Sequence, residues 1–275
     1  MFPLISAKQL SKINLNHNMV MLDATYAANS LELFQQNHLP GAQYVDWEKD
    51  LSVHNPNPAN GGRHPLVSVK KFNSFLQKSG ISSNSHIIVY DQNDSSMAAA
   101  RLWWMLRAAG LKNVQVLDGG LSAAIKEGMD GFTDKQVIKP GNYAFESWQL
   151  PLVEMSDVQK AVENEDKIII DVRAPVRFHG LNEPIDQIAG HIPTAINIPF
   201  VENLNENKTF KSPEELKKMY SKLQEKDIIV HCGSGITACH TLLAFAVAGL
   251  EIPALYNGSW SEWSRNNNKM ITADN

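Results

Sequence analysis

Ile228-Ile229-Val230-His231-Cys232-Gly233-Ser234-Gly235-Ile236-Thr237 is the stretch on which the reading of the fold turns. Its β-branched opening reads as a short buried strand, its glycines end that strand in a tight turn, and a helix-like segment follows. A strand that passes through a turn directly into a helix is one βα unit of a parallel sheet. The turn amides and the helix N-terminus collect partial positive charge where the Cys232 sulfur would stand, a setting that favours the nucleophilic thiolate.

The same pattern recurs upstream. Ile87-Ile88-Val89-Tyr90-Asp91 answers the strand that ends at Cys232, and Leu117-Asp118-Gly119-Gly120 answers Tyr256-Asn257-Gly258-Ser259. Val20-Met21-Leu22-Asp23 pairs with Ile168-Ile169-Ile170-Asp171, and His38-Leu39-Pro40-Gly41-Ala42 with His191-Ile192-Pro193-Thr194-Ala195, in the same order. The chain therefore reads as a duplicated α/β unit, each copy a mostly parallel sheet with helices on both faces. The expected boundaries are 1–138 for the first domain, 139–152 for a linker rich in turn formers, and 153–275 for the second. Ser212-Pro213-Glu214-Glu215 predicts a capped helix start, and Ser156-Asp157-Val158-Gln159 predicts another.

The two copies differ where chemistry would sit. Asp91 stands in the first copy where Cys232 stands in the second, so the first copy is expected to be catalytically silent. The first copy also carries the longer loop, Asn55-Pro56-Asn57-Pro58-Ala59-Asn60-Gly61-Gly62-Arg63-His64-Pro65, too polar to be core and long enough to reach a neighbour. The second copy carries an insertion around Arg177-Phe178-His179-Gly180, and both insertions are expected to lean over one site beyond the carboxyl ends of the strands. His38 and His191, in matching turns, are assigned to structure, as are Cys239 and the Trp103-Trp104 pair. Asn266 to Asn268 reads as a polar tail.

Composition excludes several classes. With 275 residues, 43% hydrophobic and 20% charged, the chain is an ordinary globular one, and a net charge of -4 without a dense basic run argues against nucleic acid or an anionic membrane as partner. No segment offers the long apolar run of a transmembrane helix. Two cysteines are too few for a disulfide framework and are spaced for neither metal nor redox pairing, so a reducing cytoplasm and no metal are expected. A cysteine phosphatase would need an arginine clamp on the loop; the position is Ala238, and the loop itself holds no cation.

Trp103-Trp104, Leu117-Asp118-Gly119-Gly120-Leu121, His191-Ile192-Pro193 and Tyr256-Asn257-Gly258-Ser259-Trp260-Ser261-Glu262-Trp263, taken with the cysteine loop, resemble the tandem rhodanese-type sulfurtransferases over nearly the whole chain. The loop Cys232-Gly233-Ser234-Gly235-Ile236-Thr237 is similar to that of the 3-mercaptopyruvate sulfurtransferases; thiosulfate-specific relatives usually place basic residues after the cysteine. The resemblance implies that Cys232 carries sulfur as a persulfide held by loop amides at Gly233, Gly235, Ile236 and Thr237. It also implies that Ser234 and His64 act together with an acid, and that Arg177 grips the donor carboxylate. The acid falls at Glu48, with Asp46 and Asp50 as competitors. A second binding arginine would fall at Ile185, where this chain departs from the pattern.

The expected reaction moves sulfane sulfur from 3-mercaptopyruvate to cyanide, a small thiol or thioredoxin, releases pyruvate and needs no cofactor. Thiosulfate is the alternative donor. A noncatalytic sulfur-carrying or protein-binding module is the alternative of another class, and it would tolerate changes at His64 and Arg177. From the residues alone, Ser234 could equally be a turn residue and His64 an exposed loop histidine.

Overall fold

The computed structural model describes residues 1–13, 18–92, 97–129 and 138–273. Contacts divide the chain into two units, one of Met1–Ser52, Val67–Gln149 and Glu206–Phe210, the other of Val53–Leu66, Leu150–Asn205 and Lys211–Asn275. The units are thus not contiguous in sequence: the Gly/Pro-rich loop encoded in the first half folds with the second.

The first unit runs β1 (Leu4–Ser6), α1 (Ala7–Leu10), β2 (Met19–Asp23), α2 (Ser30–Gln36), β3 (Ala42–Tyr44), α3 (Val69–Lys78), β4 (His86–Tyr90), α4 (Ala98–Ala108), β5 (Val114–Asp118) and α5 (Gly120–Lys126). Its strands pair in parallel in the order β1-β5-β4-β2-β3. The central strand β4 is apolar and sealed on both faces, as a parallel strand between helical layers must be. Ile88 and Tyr90 pack with Leu10, Leu117 and Leu121 in one core cluster. Trp103 and Trp104 are fully buried in α4, so that helix is core all round, as its sequence indicates.

The second unit runs β6 (Leu152–Val153), α6 (Met155–Asn164), β7 (Ile168–Asp171), α7 (Pro175–Phe178), β8 (Ile196–Asn197), α8 (Pro213–Tyr220), β9 (Ile228–His231), α9 (Ala238–Val247), β10 (Ala254–Tyr256) and α10 (Ser259–Trp263). The order β6-β10-β9-β7-β8 repeats the first sheet strand for strand, again all parallel. Ser212 caps α8 with the predicted box, its side chain and that of Glu215 each satisfying the other's backbone N–H. The start of α6 differs from expectation. Glu154 rather than Ser156 is the capping position, and its N–H donates to Asp157 at 3.1 Å, because the apolar face led by Met155 begins one residue before the serine. Asn266 and Asn268 are likewise not a tail: Asn266 donates to the carbonyls of Ala59 and Glu262, and Asn268 to that of Trp263. Among the described residues, no helix is long and apolar enough to cross a membrane.

Duplication extends to atomic detail. His38 Nδ1 bonds the Phe34 carbonyl at 2.7 Å and its ring stacks on Phe34, while His191 Nδ1 bonds the Phe178 carbonyl at 2.8 Å and its ring stacks on Phe178. Both histidines are structural pins of the turn before the edge strand. That turn needs a left-handed residue, Gly41 at φ 77° in the first copy and Thr194 at φ 67° in the second. A β-branched residue there is strained. Thr194 is also exposed, so trimming it loses no packing. Thr194→Gly is expected to raise stability by about 0.5–1 kcal/mol, the relief of left-handed strain less the entropy of glycine, as read by urea unfolding. No gain would contradict this reading of the turn.

A second pair of equivalents differs in charge. Asp118, at the end of β5, corresponds to Asn257 beyond β10. Burial pushes the Asp118 carboxyl up to about 6, only partly offset by the Phe210 N–H it accepts at 2.9 Å. Between the unfolded value of 3.8 and that raised value, the folded chain holds a proton that the unfolded chain has released. Stability from this group is thus present below about pH 4 and is lost as pH rises through about 6. Asp118→Asn keeps an acceptor for Phe210. It should flatten the pH 4–6 slope and stabilise the protein above about pH 6 by roughly 1–2 kcal/mol, the full shift discounted for partial exposure. Denaturation midpoints across that range provide the check.

Candidate active site

Cys232 follows directly on β9 and is almost completely buried. Its own N–H donates to Ser259 Oγ at 3.2 Å, and that hydroxyl donates in turn to the Tyr256 carbonyl at 2.9 Å. The N–H groups of Trp260 and Ser261, at the start of α10, donate to the carbonyls of Cys232 and Gly233 at 3.1 and 3.0 Å. These bonds turn the loop carbonyls outward to α10 and away from the loop's own centre. Behind the loop, Cys239 is buried in α9 with its Sγ 3.4 Å from the Gly235 carbonyl, a packing and capping role.

Among the described residues, the N–H groups of Gly233, Ser234, Ile236 and Thr237 donate to no acceptor. They precede α9, a helix of ten residues whose N-terminal position, Thr237, makes no side-chain cap. Such a run of unsatisfied amides beside a helix start is an anion receptor. Gly235 permits the curvature: it sits at φ +79°, and a Cβ there would lie 2.5 Å from the Asn257 carbonyl oxygen.

The 53–66 loop supplies the second layer and is tied down along its length. Asn55 Nδ2 donates to the carbonyls of Asn60 and Gly62, Gly61 N–H to Glu262 Oε1 at 2.7 Å, and Arg63 N–H to Ser261 Oγ at 3.0 Å. Asn257 Nδ2 donates to the His64 carbonyl. The result places His64 Nδ1 2.8 Å from Ser234 Oγ, a proton-sharing pair one residue from Gly233.

Arg177 comes from α7, which Pro175 starts at the first helical position. Its Nε and Nη2 grip Glu183 at 2.7–3.1 Å, and Nη2 lies 3.6 Å from Asp186. Asp186 also pairs with Arg63 Nη1 and, at 2.7 Å, with Arg265. Glu183 further accepts Arg173 and the N–H groups of Ile185 and Asp186. Arg173 then binds Asp171 and lies over the Trp260 ring, 4.8 Å from its centroid. Burial works against an ionised Asp171 carboxyl, and His231 together with the Arg173 guanidinium outweighs it, holding the group below the usual carboxylate range. In the first copy the equivalent Asp23 is raised by burial, since hydrogen bonds from Thr25 and Gln92 only partly offset it.

The structure therefore brings together Cys232, Gly233, Ser234, Gly235, Ile236 and Thr237 with His64 and Arg177. Glu48 belongs to the other unit, where its carboxylate is exposed; Asp46 there pairs with Lys49 and Asp50 accepts the Asp46 N–H. Arg63, Glu183, Asp186 and Ser259 also line this network, and no motif in the sequence marks them. Arg63 adjoins the histidine already singled out, and the one signal for it was a lone cation in a Gly/Pro-rich loop. Among the described residues, no group of three or more His, Cys, Asp and Glu side chains is placed to hold a metal ion.

The family model of the rhodanese-like domain matches residues 6–127 and 154–266. A Pseudomonas aeruginosa protein named "Probable 3-mercaptopyruvate sulfurtransferase" is 35% identical over 269 residues, 94% of this chain and 94% of its own length. A Rattus norvegicus protein named "Thiosulfate sulfurtransferase" is 32% identical over 239 residues, 84% of this chain and 79% of its own. The solved structure of SseA from Escherichia coli, described as having the rhodanese fold and the mechanism of 3-mercaptopyruvate sulfotransferases, superposes with a TM-score of 0.80. It is 30% identical and covers 95% of this chain and 100% of its own. With two matched domains built on the same five-strand parallel sheet, the chain belongs to the rhodanese-like domain family.

Proposed function

We propose that this chain is a sulfurtransferase that takes sulfane sulfur from 3-mercaptopyruvate onto Cys232 and passes it to a nucleophilic acceptor. The observation that carries the reading is the run of unsatisfied loop N–H groups that follows Cys232, beside a histidine-serine pair. The Cys232 thiolate attacks the donor sulfur, forming an S–S bond as the donor C–S bond breaks. The C–S electron pair leaves on carbon as the enolate of pyruvate, and the thiol proton of the donor moves to that carbon through Ser234 and His64. The persulfide anion left on Cys232 is stabilised by the loop amides, including those of Gly233, Ile236 and Thr237, as an oxyanion hole stabilises oxygen. Gly235 shapes that loop. Cyanide, a small thiol or thioredoxin then attacks the outer sulfur and restores the thiolate. Arg177 binds the donor carboxylate.

In this reading the first rhodanese-like copy, 1–138, is silent, since the Asp91 carboxylate cannot carry sulfane sulfur, and the second, 153–275, is active with the help of the 53–66 loop. The paucity of cysteines, neither in a disulfide, supports a reducing compartment such as the cytoplasm. Thiosulfate is the second reading. Two guanidiniums stand beside Gly233, which suits a dianion better than the neutral loop sequence suggests.

Mass spectrometry after donor treatment should find one added sulfur on wild-type protein and none on Cys232→Ser; an unlabelled but active wild type would overturn the reading. The two donors separate further at His64. Release of sulfite from thiosulfate needs no proton on carbon, whereas release of pyruvate does. His64→Asn should therefore lower kcat for mercaptopyruvate by about a hundred- to thousand-fold while changing persulfide formation from thiosulfate little. Equal losses with both donors would remove the proton-relay role.

A further inference from the structure

We infer that the cavity between α2, α3 and the edge strand β3 of the first unit is a binding site for an aromatic carboxylate that also carries a ring N–H or hydroxyl donor. Its described lining belongs to that unit alone, and the site is independent of the cysteine chemistry.

The cavity has a volume of about 820 Å³, within the roughly 300–1,000 Å³ of small-molecule sites. Its walls are apolar and partly aromatic: Leu31 and Phe34 come from α2, Phe75 from α3, and Ile138 from beyond α5. Leu31 and Ile138 are large apolar side chains left exposed. A flat ring packs well between such side chains.

His38 sets the first polar contact. It is only 3% exposed, yet it lines the cavity. Its ring is held against Phe34, and its Nδ1 is taken by the Phe34 carbonyl at 2.7 Å, so in the neutral ring that nitrogen carries the proton and Nε2 is an acceptor. Nε2 has no hydrogen-bond partner among the described residues, and packing does not seal it off. It therefore opens into the cavity, where a ligand N–H or O–H would complete it.

Charge places the acid group. Lys71 and Lys78 of α3 both line the cavity, seven residues and so about 10 Å apart along the helix. Asp50, on the same wall, interacts electrostatically with Lys71 and offsets its charge. Lys78 makes no ion pair among the described residues. The neighbouring carbonyls of Gln77 and Ser79 already accept Gly141 N–H and Gln43 Nε2, so the end of α3 does not present them bare to an anion. A carboxylate at Lys78 thus meets a cation that no resident acid neutralises.

Isothermal titration calorimetry of the full chain at about pH 8 compares three probes. Indole-3-acetate has ring, N–H and carboxylate; naphthalene-1-acetate lacks the N–H; 3-methylindole lacks the carboxylate. Indole-3-acetate should bind saturably at one site, about tenfold tighter than naphthalene-1-acetate, the worth of one hydrogen bond to a buried acceptor. Lys78→Gln should weaken both acids about two- to fivefold, as loss of an exposed charge pair does, and leave 3-methylindole unchanged. His38→Phe should erase the preference for indole over naphthalene. Because His38 also pins its turn, a third variant keeps the test decisive: Ser74→Trp, at an exposed position of α3 on the cavity wall, should fill the space and abolish binding of all three probes with the unfolding midpoint unchanged. No saturable binding of either acid, equal affinities for the two acids, or binding untouched by both Lys78→Gln and Ser74→Trp would each overturn the site.

Discussion

A single buried carboxylate organises the second unit. The Asp186 side chain has no exposure to water, and burying its charge unpaired would cost several kcal/mol. Arg63, Arg177 and Arg265 gather around it from separate segments, a loop encoded in the first half of the chain among them. Because each guanidinium turns part of its fork to a carboxylate, the remaining donors of Arg63 and Arg177 face Gly233. Loop placement, histidine placement and cation placement are thus one problem: the segment that brings Arg63 to Asp186 also brings His64 to Ser234.

The two copies show how little of the frame is needed to make or lose a site. Both sheets have the same order, both pin their edge turn with a stacked histidine, and both close the loop from the next helix, with Leu121 donating to the Asp91 carbonyl as Trp260 donates to that of Cys232. What differs is local chemistry. A carboxylate replaces the thiol at Asp91, and Asp23 lacks the histidine and arginine, His231 and Arg173, that hold Asp171 ionised. A shared backbone therefore supplies position, and a few side chains supply reactivity.

Much of this was legible in the residues. The strand-turn-helix run through Cys232, the repeated His-x-Pro turns and the capping box at Ser212 are local signals, each set by side-chain chemistry within a few positions, and local signals survive folding. The reach of the 53–66 loop was also readable, from its length and composition. Partnerships across long sequence distance were not: nothing in Glu183-Pro184-Ile185-Asp186 says that these carboxylates hold arginines, because Asp186 and Arg63 are brought together only by the fold. The start of α6 was misplaced for a smaller reason, since a glutamate in the capping position looks in sequence like part of a polar lead-in. The loop itself is neutral and the resemblance places Arg177 beside it; the fold adds Arg63, which no local motif marks.

In the proposed reaction the loop amides and Arg177 hold the transferred sulfur and the donor carboxylate at one place. A crystal structure of donor-treated protein soaked with pyruvate would show both. The expected result is an additional sulfur on Cys232 Sγ within hydrogen-bonding distance of the Gly233, Ser234, Ile236 and Thr237 amides, with the pyruvate carboxylate on Arg177. Additional sulfur on Cys239, or a persulfide turned away from the amides with pyruvate away from Arg177, would overturn the proposed reaction.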